Sequence, residues 1–322
     1  MVTCSIVIPN YNGEPFLEKC LRSLYKQQGI EFEVILIDNA STDHSLDFVR
    51  EAYPEVRVIQ LERNYGFSRA VNEGILRACG QFVVLLNNDT EVEEDWLASL
   101  YRHINSNELI FSVSSKMIRM NQRNMIDDAG DELTVFGWAF KRGDGEPASD
   151  YREGGSVFSS CAGAAIYRKA VFDEIGLFDE QFFAYLEDVD IGYRARLFGY
   201  KNEYCPDAVV YHVGSGTSGS KYNEFKIKLS ARNNVYLLYK NMPFIQMLIN
   251  LPFLVVGYLV KYVFFLRAGW SKVYLSGFYE GITHLNLVQR QKFRYKAWPH
   301  YWNIQRMLVS STVRYIKNRM IR

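Results

Sequence analysis

A carboxylate and two amides follow an apolar run at residues 82–90, and these residue types are suited to binding a hard cation. The run FVVLL is followed at once by Asn87, Asn88, Asp89 and Thr90, with no glycine or proline to turn the chain. Mg²⁺ takes one or two carboxylates in proteins and completes its shell with water and phosphate oxygens. We expect Asp89 to bind Mg²⁺ or Mn²⁺ and Asn87 or Asn88 to orient a sugar or a metal-bound water. The alternative is that Asp89 simply caps the next helix.

Two further polar stretches follow apolar runs near the start of the chain. In LIDNASTD, Asp38 ends a continuous apolar run, where a buried charge is costly unless it meets a partner such as a base edge or a ribose hydroxyl. We expect Ser41 to cap the following helix, a role that Asp43 could share. In RNYGFS, Asn64 and Gly66 precede a helix whose amino terminus could lie near a phosphate.

Three carboxylates are crowded into four residues at Glu187, Asp188 and Asp190. Like charges this close raise at least one pKa, which suits a general base that works near neutral pH. On a helix, Glu187 and Asp190 share a face while Asp188 points elsewhere, so the three need not act together. The alternative is an ordinary run of acids at a helix amino terminus, stabilised by the macrodipole.

His212 ends the apolar run AVVYH, just before the glycine-rich stretch VGSGTSGS. A histidine at a strand end can ligate a metal, or it can be a core residue whose hydrogen bonds are satisfied. Taken singly, this histidine favours the core interpretation.

The elements that carry these residues alternate between two patterns along the first hundred residues. Apolar, β-branched runs predict strands at 5–9, 32–38, 56–61 and 82–86. Helical spacing predicts helices at 16–27, 43–52 and 68–78. Such alternation predicts an α/β fold with a mostly parallel sheet and helices on both faces. Ligands bind beyond the carboxyl ends of the strands in such sheets, which is where the polar stretches of the first hundred residues stand.

The rest of the chain is less regular. From about 110 to 165 the pattern loosens into short strands and loops that are rich in glycine. We expect a helix from 188 or 189 to about 197, a strand at 208–212 and a helix at 224–240. A strongly apolar stretch at 242–266 follows.

Charge is distributed unevenly, although the whole chain carries a net charge of only +1. Residues 221–322 contain 17 lysines and arginines but only Glu224 and Glu280 as acids, so an acidic body precedes a basic tail. Basic tails favour anionic partners. The five scattered cysteines form no CxxC pair, and the first residues lack the features of a signal peptide, which together favour a cytoplasmic protein with reduced thiols.

The apolar stretch at 242–266 is borderline for a membrane span, because Gln246, Asn250 and Pro252 interrupt it. We expect helices that lie against the bilayer surface, since basic residues interleaved with tryptophan fit contact with anionic lipid. The basic and tryptophan residues concerned are Arg267, Trp270, Lys272, Arg290, Lys292, Arg294, Lys296, Trp298 and Trp302. The alternative is an ordinary helical subdomain that packs on the core or on a second subunit.

The order of these motifs resembles that of the family 2 inverting glycosyltransferases of GT-A fold, and within them the rhamnosyltransferase-like members that build bacterial cell-surface polysaccharides. In chain order the motifs are PxYNG, IDNxSxD, RNxGF, NND, GLFDExFFxYxEDxDxxxR and YH before a glycine-rich loop. The resemblance covers about residues 3–240. It implies a Rossmann-like GT-A catalytic domain at 1–220 and leaves 221–322 as a helical, basic and apolar C-terminal region.

The resemblance also implies a role for each candidate residue. The residues implied to bind the donor are Pro9, Tyr11, Asp38, Asn64, Gly66, Asn87 and Asn88. Asp89 and His212 would hold the metal and the diphosphate, Asp188 would deprotonate the acceptor hydroxyl, and Glu187 would help to place the acceptor. Because Asn87 stands where the family's DxD element has its first aspartate, we expect weak metal binding until the donor's diphosphate arrives.

The implied partners are a dTDP- or UDP-sugar, Mg²⁺ or Mn²⁺, and a saccharide acceptor that could be carried on a polyprenyl diphosphate at the inner face of the cell membrane. Rhamnose is the sugar suggested by the subgroup, and the oligomeric state is left open. The rival interpretation is a catalytically inactive nucleotide-sugar-binding sensor or scaffold. A processive synthase would show QxxRW and several membrane spans, and a nucleotidyltransferase would show a GxGxR loop, all of which are missing here. Nucleic-acid binding is disfavoured because the basic residues are interleaved with long apolar runs.

Overall fold

The computed structural model describes residues 2–214, 223–292 and 294–321 as strands, helices and connecting loops. The strands are β1 (Cys4–Asn10), β2 (Phe32–Asp38), β3 (Arg57–Gln60), β4 (Phe82–Leu86), β5 (Thr90–Val92), β6 (Ile110–Arg119), β7 (Gln122–Asp128), β8 (Asp131–Leu133), β9 (Ala139–Lys141), β10 (Gly155–Ser156), β11 (Ala164–Arg168) and β12 (Lys201–His212). The α-helices are α1 (Glu14–Leu24), α2 (Ser45–Ala52), α3 (Phe67–Arg77), α4 (Trp96–Asn105), α5 (Phe172–Ile175), α6 (Glu187–Leu197), α7 (Glu224–Asn241), α8 (Phe244–Arg267), α9 (Ser271–Thr283) and α10 (Trp298–Ile321).

Ten strands form one sheet, and the remaining two, β8 and β9, form a separate hairpin. The main spatial order is β10-β12-β6-β11-β4-β1-β2-β3, with β5 beside β12 and β7 beside β6. The four strands predicted in the first hundred residues are β1, β2, β3 and β4. They are all parallel and lie in the order β4-β1-β2-β3. Beyond β4 the sheet is mixed, because β11 runs antiparallel to both β4 and β6. The predicted α/β class is confirmed, and the four-stranded block β4-β1-β2-β3 is its uninterrupted parallel part.

The parallel strands are buried on both faces, which is why they read as continuous apolar runs. Alternate residues contribute to different cores: Ile6 and Ile8 face the core under α1 and α4, whereas Val7 faces the core under α3 and α6. The register of β1 and β2 sets Asn10 beside Asp38, so both polar side chains leave the sheet at the same edge.

The C-terminal helices share a core with the body. One cluster of buried side chains joins Phe182 and Val189 from around the start of α6 to Leu237 on α7 and Leu308 on α10. Residues 223–321, where described, therefore pack directly on the elements that carry the predicted catalytic acids.

Helix α8 is long and apolar enough to cross a membrane by length and composition, and no other helix in the described ranges qualifies. One of its faces is nevertheless packed against the body. Leu254 is buried in the shared core, and the carbonyl oxygen of Gly257 accepts a hydrogen bond from Trp138 Nε1 at 3.2 Å. The opposite face is exposed.

Several boundaries differ from those predicted. In the first hundred residues the differences are one to three residues at an end; α1, for example, spans Glu14–Leu24 rather than 16–27. The strand predicted at 208–212 is the end of β12, which begins at Lys201; Pro206 interrupts the pattern, and the pairing with β6 shifts register between Cys205 and Val209. Helix α6 begins at Glu187, one residue before the predicted start. The glycine-rich stretch after His212 falls mostly on residues 215–222, outside the described ranges.

Candidate active site

A polar network, called the amide cluster here, joins the ends of β1, β2 and β4. Its members are Asn10, Asp38, Ser41 and Asn88. Asn10 Nδ2 donates to Asp38 Oδ1 at 3.1 Å and lies 3.1 Å from Ser41 Oγ, and Asn88 Nδ2 donates to Asn10 Oδ1 at 2.7 Å. Asp38 is fully buried, and its second oxygen accepts from the Ser41 backbone N–H at 3.1 Å. The buried carboxylate is therefore paired within the protein, by an asparagine that sequence reasoning passed over although it stands inside the PNYNG motif.

The expected capping role of Ser41 is wrong. Helix α2 begins at Ser45, and the Ser41 hydroxyl accepts from the Asn12 backbone N–H at 2.9 Å. It therefore ties the loop after β1 to the loop after β2. Of the two predicted donor residues nearby, Pro9 lies near the end of β1 and is half-buried, and Tyr11 in the loop after β1 is 37% exposed.

The loop that carries Asn64 and Gly66 is held by Asn39, next to the amide cluster. Asn39 Oδ1 accepts from the Tyr65 N–H at 2.9 Å, and its Nδ2 donates to the Gly66 carbonyl at 3.1 Å. Asn64 Oδ1 accepts from the Gly66 N–H at 2.9 Å, so this side chain shapes its own loop. Gly66 has φ +86°, and a Cβ there would lie 2.5 Å from the Phe183 carbonyl oxygen, a position that only glycine tolerates.

Asp89 does not cap a helix, because β5 begins at Thr90 and α4 only at Trp96. Instead, Asp89 Oδ1 lies 3.2 Å from His212 Nε2, and the other ring nitrogen, Nδ1, lies 2.8 Å from Asp127 Oδ2. Burial alone would lower the pKa of His212, but hydrogen bonds that its ring donates to Asp127 and Asp89 outweigh burial and raise that pKa to about 9. Burial alone would raise the pKa of Asp127, but the bond to His212 and the charge of Lys141 hold it below its usual range.

Asp127 owes its position to a β-bulge. Ile118 on β6 pairs with Ile126, but Met117 pairs with Asp128, which leaves Asp127 as an extra residue on β7. Bulges commonly re-aim a side chain beside a functional site. Sequence reasoning missed Asp127, and the only signal for it was the adjacent pair of acids in MIDDAGD.

The residues around Asp89 fit a divalent cation that other ligands complete. Asp89 offers a hard carboxylate, and His212 would offer its Nε2 once a cation displaces the proton there. Asp127 on the far ring nitrogen is the orienting partner that metal-binding histidines usually have. Across the described parts of the chain, no three His, Cys, Asp or Glu residues are grouped so as to hold a metal by themselves. Two protein ligands with the remaining positions left to phosphate and water match the habit of Mg²⁺.

The predicted catalytic acids stand in the first turn of α6. Asp188 is half-buried; burial raises its pKa, against the backbone N–H groups of Val189 and Ala162, which lower it. Glu187 is 6% exposed, and its Oε2 has no hydrogen-bond partner among the described residues. Burial first, and then the charge of Asp188, raise the pKa of Glu187 well above its usual range. Both pKa values are raised, in the direction that the sequence predicted. Burial is the larger cause, however, whereas the prediction was based on repulsion between like charges.

The third acid of that run has a different task. Asp190 is fully buried and accepts from Arg194 Nη2 at 2.8 Å, Lys240 Nζ at 3.0 Å and Asn241 Nδ2 at 2.7 Å. These partners overcome the effect of burial and lower the pKa of Asp190. Asp190 therefore fixes α6 to α7 and takes no direct part in the site.

Two more buried acids lie on the same side as Asp188. They are Asp128 at the end of β7 and Asp131 at the start of β8, and we call these two with Glu187 and Asp188 the acid cluster. Asp128 is fully buried, its Oδ2 has no partner among the described residues, and burial raises its pKa to about 7. Burial and the charges of Asp188 and Asp128 raise the pKa of Asp131 well above its usual range. Sequence reasoning did not find either residue.

One loop connects the acid cluster to the end of β4. The Asn87 backbone N–H donates to the Gly163 carbonyl at 2.8 Å, and the preceding residue, Ala162, directs its N–H to Asp188. Asp38, Asp89, Asp188 and His212, far apart in the chain, thus lie along one edge of the sheet. The roles assigned to the individual residues stay predictions.

A family model described as "Glycosyl transferase family 2" matches residues 5–176, slightly more than half of the chain. The chain belongs to glycosyl transferase family 2. This glycosyltransferase is 26% identical over 243 residues to the N-acetylglucosaminyl-diphospho-decaprenol L-rhamnosyltransferase of Mycobacterium tuberculosis, a match that covers 66% of this chain and 77% of that one. It is 29% identical over 144 residues to the poly(ribitol-phosphate) β-N-acetylglucosaminyltransferase TarS of Staphylococcus aureus, covering 42% of this chain and 25% of that one.

Solved structures agree on the fold of this glycosyltransferase. TarS 1–349 of S. aureus in complex with UDP-GlcNAc superimposes with a TM-score of 0.54 at 19% identity, covering 94% of this chain and 79% of that one. The mannosyltransferase PcManGT of Pyrobaculum calidifontis, in complex with GDP-Man and Mn²⁺, gives 0.55 at 15% identity, covering 87% and 86%. The fold is therefore the GT-A glycosyltransferase fold that the motif order predicted.

Proposed function

We propose that this enzyme transfers a sugar, with inversion, from a nucleoside-diphosphate donor to a hydroxyl of a saccharide acceptor in the synthesis of a cell-surface polysaccharide. One observation carries the proposal: the Asp89–His212 pair and the half-buried Asp188 lie along the same edge of the sheet. The loop that contains Ala162 and Gly163 connects Asp188 to the end of β4. In this proposal residues 1–220 form the catalytic domain and residues 221–322 form a helical region at the membrane surface.

Asp188 acts as the base in this reaction. The acceptor hydroxyl gives its proton to the Asp188 carboxylate, the acceptor oxygen bonds to the anomeric carbon, and the bond from that carbon to the diphosphate oxygen breaks. Attack opposite the leaving group inverts the anomeric centre. Burial raises the pKa of Asp188, which makes it a stronger base than an exposed carboxylate. Glu187, the next residue in the chain, helps to place the acceptor in this proposal.

The donor lies along the amide cluster. Asp38 and the loop after β1, with Pro9 and Tyr11, frame the base and ribose, while Asn64, Gly66, Asn87 and Asn88 line the sugar and diphosphate. Mg²⁺ or Mn²⁺ held by Asp89 and His212 would neutralise the charge that develops on the departing diphosphate. The PcManGT structure that shares the fold was solved with Mn²⁺, which supports this choice of cation.

The donor sugar we propose first is rhamnose from dTDP-rhamnose, on an N-acetylglucosaminyl-diphospho-polyprenol acceptor. The support is the activity of the mycobacterial relative, whose match covers 66% of this chain. UDP-GlcNAc is the second candidate donor, because the TarS structure that shares the fold was solved with it.

We also propose that α8 lies on the inner surface of the cell membrane, with its exposed face in one leaflet. This face includes Val256, Leu259 and Val263, which are between 43% and 57% exposed. A span across the bilayer is disfavoured because the other face packs on the body at Leu254 and Gly257. Exposed basic and tryptophan side chains nearby suit anionic lipid: Arg267, Lys272, Arg290, Lys292, Arg294, Lys296, Trp298 and Trp302.

The catalytic proposal is tested by Asp188→Asn with dTDP-rhamnose and UDP-GlcNAc as donors and N-acetylglucosaminyl-diphospho-polyprenol as acceptor. We expect the rate of nucleoside diphosphate release to fall by roughly 10³-fold or more, since the amide cannot take the proton. The affinity for the nucleoside diphosphate with Mn²⁺ should change less than about twofold, because that ligand does not reach Asp188. Chelation with EDTA should stop transfer, and added Mn²⁺ should restore it.

Asp173→Asn is the matched control, an exposed acid in the first turn of α5. It should keep the parent rate. Full activity of Asp188→Asn would overturn the assignment of the base. If the parent releases no nucleoside diphosphate from either donor when the acceptor is present, the sensor interpretation gains and the proposed reaction fails.

Membrane docking is tested by sedimentation with vesicles of phosphatidylglycerol and of phosphatidylcholine. We expect the parent to bind the anionic vesicles and Leu259→Glu/Val263→Glu to lose most of that binding. Leu76→Glu, on the 65% exposed Leu76 of α3, is the control and should bind like the parent. If the parent stays in solution as a dimer that the double variant splits, the face is an interface between copies and the proposal is wrong.

A further inference from the structure

The loop just before the catalytic acids has an unusual backbone. Phe183, Tyr185 and Leu186 have φ of 62°, 71° and 69°, a region that residues other than glycine seldom adopt. Such conformations persist only where the surrounding structure holds them, and they cluster at functional sites. Leu186 is the N-cap of α6, so the direction in which Glu187 and Asp188 leave the loop depends on this segment.

Two consecutive residues of α7 hold this loop by its carbonyl groups. Asn233 Nδ2 lies 2.8 Å from each of the carbonyl oxygens of Phe182, Ala184 and Tyr185. Its neighbour Arg232 donates from Nη2 to the carbonyls of Gln181 and Phe182, at 3.0 and 3.1 Å. Asn233 is fully buried, so water cannot replace its amide.

The other side of the loop meets the loop after β3. The Ser68 N–H donates to the Phe183 carbonyl at 3.2 Å, and the Cα of Gly66 sits against the same carbonyl. Helix α7 is itself fixed from behind, since Arg232 Nη1 lies 3.3 Å from Glu280 on α9. The segment 181–186 is therefore clamped between a predicted donor loop and a braced helix of the C-terminal region.

We propose that Arg232 and Asn233 are positioning residues for the transfer reaction: they hold the loop 181–186 in the left-handed conformation that aims Asp188 at the acceptor hydroxyl. This inference rests on the proposed function, because it takes Asp188 as the base. It assigns the C-terminal region a part in catalysis, in addition to any part in membrane contact.

Asn233→Ala tests the proposal against a control from the next residue. Asn234 is also a buried asparagine on α7 whose Nδ2 donates to a loop carbonyl, but that carbonyl belongs to Gly137. Both alanine variants should lower the melting temperature. Assayed well below it, Asn233→Ala should lower kcat by about 10- to 100-fold with the donor KM within about twofold, as expected when a catalytic group is displaced by about an ångström. Asn234→Ala should leave kcat within about twofold.

Arg232→Lys is the second variant, for use if Asn233→Ala does not fold. Lysine keeps the charge but has one nitrogen, so it cannot bind Glu280 and the loop carbonyls together as Nη1 and Nη2 of arginine do. We therefore expect kcat to fall while the protein stays folded. Unchanged kcat in Asn233→Ala, or in Arg232→Lys where that variant replaces it, would overturn the proposal, as would an equal loss in Asn233→Ala and Asn234→Ala. Asp188→Asn is assayed alongside: if it keeps its activity, the proposed base fails; if it is inactive while Asn233→Ala is fully active, only the positioning role fails.

Discussion

The amide cluster and the acid cluster occupy neighbouring stretches of one sheet edge, yet they are built in opposite ways. In the amide cluster, the buried carboxylate of Asp38 has a partner for each oxygen, and Asn10 joins it to Asn88. In the acid cluster, Asp128 and Glu187 each keep a buried oxygen with no partner among the described residues. The first is complete without a ligand, and the second is not.

This difference indicates how the two clusters divide the work. A buried network in which the polar groups all have hydrogen-bond partners costs little stability and is rigid. A rigid surface suits recognition of one class of sugar donor. Unpaired buried carboxyl groups cost stability, and proteins keep them chiefly where they serve function. In the proposed function, the acid cluster is the one that contains the base, Asp188.

The loop beside the amide cluster meets the segment that precedes the acid cluster where Gly66 contacts Phe183. A methyl group added at Gly66 should have the largest effect on stability. Gly66→Ala combines a left-handed φ with a Cβ 2.5 Å from a backbone oxygen. We expect a loss of about 3 kcal/mol in the free energy of unfolding, from about 1–2 for the backbone and the rest for the clash. Denaturant unfolding measures it, and transfer activity should fall as the 181–186 loop shifts.

Gly29→Ala separates the two causes, because Gly29 also has a left-handed φ, +78°, but nothing within 4 Å of its added Cβ. It should cost only about 1 kcal/mol and leave activity unchanged. Equal losses in the two variants would mean that the contact with Phe183 does not matter, and the clusters would then be independent.

Most of the amide cluster could be predicted from the sequence, but only two of the four residues of the acid cluster could. Asp38 and Asn88 directly follow apolar runs, and parallel strands bring their carboxyl ends to one edge, so their proximity could be predicted. Glu187 and Asp188 were visible as a run of acids. Asp128 and Asp131 were not, because their positions depend on a β-bulge and on antiparallel pairing within a segment that shows no clear period.

The same limit explains why the clamp on the 181–186 loop was missed. Asn233 lies about fifty residues beyond the carbonyls it holds, in a helix whose pattern predicts only that it is a helix. The exposed face of α8 was predicted from composition alone, but the packed face was not, since contacts of Gly257 with the body depend on tertiary structure.

The smallest expected effects on stability give the sharpest contrast between the clusters. A carboxyl-to-amide substitution should lower the free energy of unfolding in the amide cluster, but leave it unchanged or raise it in the acid cluster. Asp38→Asn replaces one accepting oxygen with an NH₂ group that faces a donor, so we expect a loss of about 1–3 kcal/mol in the free energy of unfolding. Glu187→Gln replaces a carboxyl group whose pKa burial has raised and whose Oε2 has no hydrogen-bond partner among the described residues. At pH 8 it should leave stability unchanged or raise it by about 1 kcal/mol, while transfer activity falls.

The raised pKa of Glu187 determines how its contribution to the stability of the protein changes with pH. Because its folded pKa lies above its unfolded value, its favourable contribution is complete below the unfolded pKa and is lost as pH rises through the folded pKa. The stability of Glu187→Gln relative to the parent should therefore improve between pH 5 and pH 8. Denaturant unfolding at both pH values measures the two differences. If Glu187→Gln lost stability at pH 8 as Asp38→Asn does, the carboxyl group would have a partner, and the acid cluster would be as complete as the amide cluster.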